Sequence, residues 1–252
     1  MAGPQCWPRI LLSMAQHSGR RHPSRVLVCC VVLWAGCTAS HDGEPQVTDG
    51  RDVNECGGWI LKGKWPGAEH FPAGRELARV IGRLVGRGGS LLDLGAGSGQ
   101  YGYCFNHSEC AKDLGVVWQG FDGALNAEEF TRNARASEVP ELPVVKHADL
   151  AEPLALPTAD WVMSLEVGEH IMPESTAQYI ANLHRSNREG VVISWALASP
   201  LWQHGFHHVN NHDNDEIICL FQRLGYESDR RRSVCARARE RERRTQRERR
   251  RV

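Results

Sequence analysis

The sequence has no CxxC pair and no H-E-x-x-H, which removes the common structural and hydrolytic zinc signatures, so no metal site is read from it. No internal repeat is visible, which excludes solenoid and propeller architectures. Residues 1–40 contain no acidic residue, and residues 230–252 contain almost no apolar one. The second absence excludes a sheet strand from that tail and leaves a solvated helix or disorder. Net charge is also missing, with 30 Lys+Arg against 30 Asp+Glu. The balance is uneven, because the tail 230–252 has 12 arginines against Glu240, Glu242 and Glu248. The body, 41–229, has 14 basic residues against 27 acidic ones. Such a body repels phosphate backbones, so no nucleic acid is expected at the core. The acceptable partners are a small molecule, a glycan, a lipid or a protein.

The acid-free segment has basic residues up to Arg25, then the apolar run VLVCCVVLWAGCTA at 26–39. At 14 residues that run is short for a membrane span of about 20. Residues 1–40 therefore read as a secretory signal, with a signal-anchor or an organellar transit segment as alternatives. Membrane contact is expected only through this segment if it stays attached. The domain occupies 41–229, and 230–252 is an Arg-rich tail. Nine cysteines give little guidance; Cys56 pairing with Cys104 or Cys110 and buried free thiols both remain open.

Apolar runs at 90–94, 115–121, 143–147, 160–165 and 190–196 alternate with helical patterns near 74–89, 99–112, 125–137 and 174–187. Continuous apolar strands separated by helices specify an α/β fold: a Rossmann-like, doubly wound, mainly parallel sheet covered on both faces. A further helix is expected over 213–224, with acids at its start and Gly225 as its stop. After it the pattern offers only GYES before the Arg-rich tail, so the C-terminal edge strands of such a sheet look missing.

The stretch SLLDLGAGSGQYGYCF, 90–105, has glycine at every second position, Gly95, Gly97 and Gly99, after Asp93. A G-x-G-x-x-G match, Gly97 to Gly102, suits a dinucleotide pyrophosphate. Asp93 opposes that ligand, since a carboxylate about 5 Å from a phosphate costs roughly 3 kcal/mol at an effective dielectric near 20. The same carboxylate favours a ligand carrying ammonium and sulfonium.

LLDLGAGSGQYG resembles the first motif of class I S-adenosylmethionine-dependent methyltransferases, D/E-x-G-x-G-x-G closing strand 1. The resemblance runs in order over residues 75–227, and ADWVMSLEVGEHI (159–171) is similar to the fourth-strand motif of the type-11 branch. It implies S-adenosyl-L-methionine as cofactor. It implies Asp93 at the methionine end, Gly95, Gly97 and Gly99 as the loop, Asp122 on the ribose, and Asp149 near the adenine. Asp149 as a helix cap stays open. Glu166, an acid ending an apolar strand, is expected to face the crevice. Between the fifth strand and the next helix lies WQHGFHHVNNHD, 202–213, whose His207 and His208, with His170, are candidate bases toward an acceptor. Methyl transfer to an O or N (or C) acceptor is the expected function. A nicotinamide-dependent oxidoreductase and a catalytically silent binding module are the alternatives.

Overall fold

A computed structural model describes residues 25–28, 59–66, 73–198 and 207–228. The elements, in chain order, are β1 (Arg25–Val28), α1 (Arg75–Val85), β2 (Ser90–Leu94), α2 (Gln100–Asn106), β3 (Val117–Asp122) and α3 (Ala127–Ser137). They continue with β4 (Lys146–His147), β5 (Ala159–Ser164), α4 (Thr176–Arg185), β6 (Asn187–Ile193), α5 (Asn214–Arg223) and β7 (Glu227–Ser228). Every apolar run named from the sequence contains or adjoins a strand, and every helical pattern holds a helix.

The strands form one seven-stranded sheet in the order β4-β3-β2-β5-β6-β1-β7. All the pairings in it are parallel. The side-chain period of two then sorts the strands into two faces. Leu92, Leu94, Val162, Val191 and Ile193 pack with Tyr179, Ile180 and Leu183 of α4 and Ile217, Leu220 and Phe221 of α5. Leu91, Trp161, Met163 and Val192 pack with Ala78, Ile81 and Val85 of α1 and with Cys104 and Phe105 of α2. Both faces are thus covered, as an all-parallel sheet requires. The chain winds outward from β2 through β3 to β4, then crosses back to β5. The carboxyl ends of β2 and β5 therefore form the switch point, where a crevice opens in folds of this kind.

Local chemistry explains the helix ends. Asp213 and Glu216 form a reciprocal capping box at the start of α5. Gly225, with φ of 86°, ends the C-terminal turn of that helix. α1 stops at Gly86, two residues earlier than the Gly88-Gly89 pair suggests, because Gly86 already adopts a φ of 83°. Cys104 joins Cys110, six residues on, in a disulfide between α2 and the turn after it. That pairing differs from both readings left open for Cys104 and Cys110, a bond to Cys56 and free thiols; Cys56 lies outside the described residues.

The edge beyond β6 refines the expectation of missing strands. A C-terminal strand exists, the two-residue β7, and among the described residues no strand runs antiparallel. The place between β6 and β7 is filled from the other end of the chain. Val26 pairs with Val191 on one side and Ser228 on the other. It is fully buried in the cluster that holds Val191, Ile217 and Tyr226. Four residues of the segment read as a leader are therefore sheet residues, and the tail 230–252 lies outside the described residues.

Removing two methyls from Val26 leaves a void between two strands. Val26→Ala is expected to lower unfolding free energy by about 1–3 kcal/mol, read by urea denaturation of the full chain. An unchanged midpoint would show that β1 is absent from the folded protein.

Candidate active site

The glycine loop follows β2 directly and is pinned to the neighbouring strand. Gly95 N–H and Ala96 N–H both donate to the Phe121 carbonyl, at 2.8 and 3.0 Å. Gly97 N–H donates to Asp122 Oδ2 at 2.7 Å, and Ala124 N–H to Asp122 Oδ1 at 2.8 Å. Asp122 thus holds the loop in place at the end of β3. A carboxylate has about four lone-pair sites, so it can also accept from a ligand hydroxyl. Gly95, at φ 88°, is required twice over, because a Cβ there would lie 2.1 Å from Val167.

Asp93 lies below the loop, 3% exposed, and accepts from the Trp118 indole N–H at 3.1 Å. Burial pushes its carboxyl up to about 8; the Trp118 bond opposes that rise and the nearby charge of Asp122 adds to it. Asp149 closes a local turn, accepting from Ala151 N–H at 2.9 Å. No helix starts there, so the bond closes a turn and is not the helix cap weighed against adenine contact.

A second group of residues gathers after β5 and β6. Glu166 has φ of 55°, strained for a non-glycine residue, and its N–H donates to Ser194 Oγ at 2.8 Å. Its carboxyl, raised by burial, interacts with Ser194 and Glu169. Glu166 therefore groups with Ser194 and Glu169. His170 sits with its ring centre 4.9 Å from that of His208 and 6.4 Å from that of His207. Its Nδ1 meets the His207 carbonyl at 3.1 Å. The loop carrying His207 and His208 is docked by Val209 N–H and Asn210 N–H, which both donate to the Glu169 carbonyl, at 2.9 and 3.1 Å. Asn210 adds side-chain bonds to the Gly168 carbonyl and Thr176 Oγ1. All three candidate bases are thus brought together. They do not share one environment, since burial first and His208 second press His170 down to about 4. A group so weakly basic is a weaker proton acceptor near neutral pH than an ordinary imidazole.

Several residues were missed in the sequence. Glu169, three residues after Glu166, is wholly buried. The segment 59–66, unremarked in the sequence, straps both halves of the site. Trp65 Nε1 donates to the Ser98 carbonyl at 2.8 Å, and Ser98 Oγ donates to the Pro66 carbonyl. Leu61 exchanges two bonds with the Asn126 side chain, and Trp59 packs edge-on to His170 at 5.9 Å. The available signal was two tryptophans, Trp59 and Trp65, close together ahead of the first helix.

No protein-family model matches this sequence, and no curated protein does. Among solved structures it is similar to magnesium protoporphyrin IX methyltransferase (ChlM) from Synechocystis PCC 6803 with bound SAH, at TM-score 0.46 and 16% identity over 60% of this chain and 72% of that one. A TehB-like SAM-dependent methyltransferase from Corynebacterium glutamicum gives 0.43 and 18%, over 58% and 70%. The [4+2]-cyclase SpnF gives 0.48 and 15%, over 66% and 63%. At such identities function has to be argued from the residues of this chain.

Asp93 generates a test of the site's electrostatics. Below its unfolded value of about 4 it is protonated in both states, and between about 4 and 8 only the unfolded chain ionises it. Its contribution to stability is therefore full below pH 4 and is lost as pH rises through 8, by about 1.4 kcal/mol per pH unit at most. Asp93→Asn stays neutral and can still accept from Trp118. Urea unfolding between pH 5 and 8 should show the variant gaining steadily on the parent. Parallel pH profiles would show that Asp93 titrates as an exposed carboxylate does.

Proposed function

We propose that this chain is an S-adenosylmethionine-dependent methyltransferase acting on an oxygen or nitrogen of a small-molecule, glycan, lipid or protein acceptor. The observation that carries it is Asp93: a buried carboxyl under a glycine loop, in contact with an indole N–H and, among the described residues, with no basic side chain. A ligand ammonium supplies the missing cation, and a pyrophosphate does not. The chain's residues fit such a cofactor. The loop brings bare backbone to the end of β2, where a Cβ at Gly95 would not fit. Asp122, already placed by Gly97 and Ala124, retains acceptor capacity for the ribose hydroxyls.

When bound, the cofactor supplies a methyl carbon already activated by its sulfonium. What remains for the protein is largely positioning. Asp93 holds the ammonium, Asp122 fixes the ribose, and the 59–66 strap limits water at the loop. On the acceptor side, His207 takes the proton from the attacking oxygen or nitrogen. It is half-buried, and its Nδ1 has no hydrogen-bond partner among the described residues. His208 and Glu166 shape the same side.

Calorimetric titration of the full chain with S-adenosylhomocysteine and with NAD tests the cofactor. The first should bind and the second should not, and Asp93→Asn should weaken the first by at least about tenfold, as for loss of a charge-assisted hydrogen bond. Binding of NAD alone would replace this function with a dehydrogenase.

The pH linkage gives an independent check. An ammonium bound beside Asp93 has to draw off its proton. At pH 7 binding of S-adenosylhomocysteine should therefore release a fraction of a proton approaching one, seen as heats that vary with buffer ionisation enthalpy. Heats independent of buffer would place the ammonium elsewhere.

A further inference from the structure

Buried polar atoms without partners concentrate on one small region. Glu169 is 0% exposed, and among the described residues no hydrogen bond of ordinary geometry reaches either carboxyl oxygen, although the Glu166 carboxyl interacts with it. Nδ1 of His207 and Nδ1 of His208 are likewise buried without one. A carboxyl group buried this way loses its hydration with no well-formed hydrogen bond in return, a cost it bears even when neutral. Glu169, His170 and His208 each direct one donor atom into a common volume, the three atoms lying within 4.8 Å of one another. Yet Glu169 makes no hydrogen bond to either imidazole. The donors are too far apart to satisfy each other and close enough to surround one ion.

We infer that Glu169, His170 and His208 bind a divalent transition-metal ion on the acceptor side of the site. The donor set, two imidazoles and one carboxylate, is that of catalytic zinc and of non-haem iron centres, with coordination positions left open. Thiolates are absent from it, and two of its three donors are imidazole nitrogens, which disfavours a copper(I) or calcium site. The second shell is also present. The Nδ1–H of His170 donates to the His207 carbonyl, which leaves Nε2 as the nitrogen with the lone pair. The Glu169 backbone is fixed by the two N–H groups that bond its carbonyl. Bonds of about 2.0–2.1 Å place tetrahedral donors about 3.3 Å apart. Side-chain rotations on the order of an ångström close the present span to that. His207 is outside the donor set, so the site leaves it free for the proton.

The inference goes beyond the methyl-transfer proposal and rests on side chains other than those that hold the cofactor, so the two can fail separately. The test uses the full chain, stripped with a chelator and then titrated with Co²⁺ and with Zn²⁺. One equivalent of Co²⁺ should bind with visible d–d absorption, and Zn²⁺ should displace it and raise the melting temperature. Glu169→Gln should fold, since an amide replaces a buried carboxylate, and circular dichroism confirms this. It and His208→Ala should each lose more than about 100-fold in Zn²⁺ affinity, beyond the 10–100-fold that loss of a supporting hydrogen bond gives. His107→Ala, a change outside the cluster, should bind as the parent does. Absence of Co²⁺ absorption, or equal affinity in the parent and both cluster variants, overturns the site and leaves Glu169 as a neutral, water-bridged acid. S-adenosylhomocysteine titrated into the same stripped samples reads the cofactor loop independently.

Discussion

The constraint on which the rest of the structure turns is the collection of acidic side chains at one edge of a parallel sheet. Asp93 lies one residue before the end of β2, Glu166 follows β5, and Glu169 lies in the turn after it. Asp93 and Glu169 are buried and Glu166 is partly so. The ion pairs formed among the described residues lie elsewhere, as Arg79–Asp113 and Arg188–Asp160 do. Burial therefore holds all three carboxyls above their ordinary values. Such groups destabilise the chain alone and favour ligands that bring positive charge. This is the familiar exchange of stability for function at a binding edge.

The parts of the fold legible in the sequence are those set by local pattern. Strands β2, β3, β5 and β6 read directly from apolar runs, and α1 and α5 from helical spacing. The glycine loop was legible because Gly95 and its neighbours answer to a backbone requirement that other residues meet poorly. The order of Asp93, Asp122 and Asp149 along the chain also followed from the strand–helix rhythm. What was hidden depends on long-range packing. Val26 looks like part of an apolar leader until Val191 and Ser228 are seen to flank it. Glu169 looks like a helix cap until the loop after β6 folds over it and removes its solvent. No periodicity marks a contact between residues 169 and 210, which the chain brings together only through β6. Trp59 and Trp65 were hidden for the same reason, since a strap has no period of its own.

The two halves of the site are joined by that strap. Trp65 binds the backbone of the glycine loop, Leu61 and Asn126 tie it to α3, and Trp59 meets His170. Val167 makes a second connection, because it packs where a Gly95 side chain would be and precedes the turn that carries Glu169 and His170. A shift of the loop is therefore felt by the histidines through packed atoms, over a path of only a few residues. This arrangement suits a reaction between two bound partners, in which placement supplies much of the rate.

The state of Asp93 decides what that placement can hold. With its carboxyl at about 8, the group is mostly protonated at pH 7 before anything binds. Ionising it at pH 7 costs about 1.4 kcal/mol, one pKa unit. An ammonium about 4 Å away returns on the order of 4 kcal/mol at an effective dielectric near 20, so the exchange favours a cationic ligand. An anionic ligand obtains nothing from the ionised form and has to leave the proton in place. The protonated acid can offer it one neutral hydrogen bond, worth only about 1 kcal/mol net. The discrimination made by this residue thus survives its own titration, and it points the same way below pH 8 as above it.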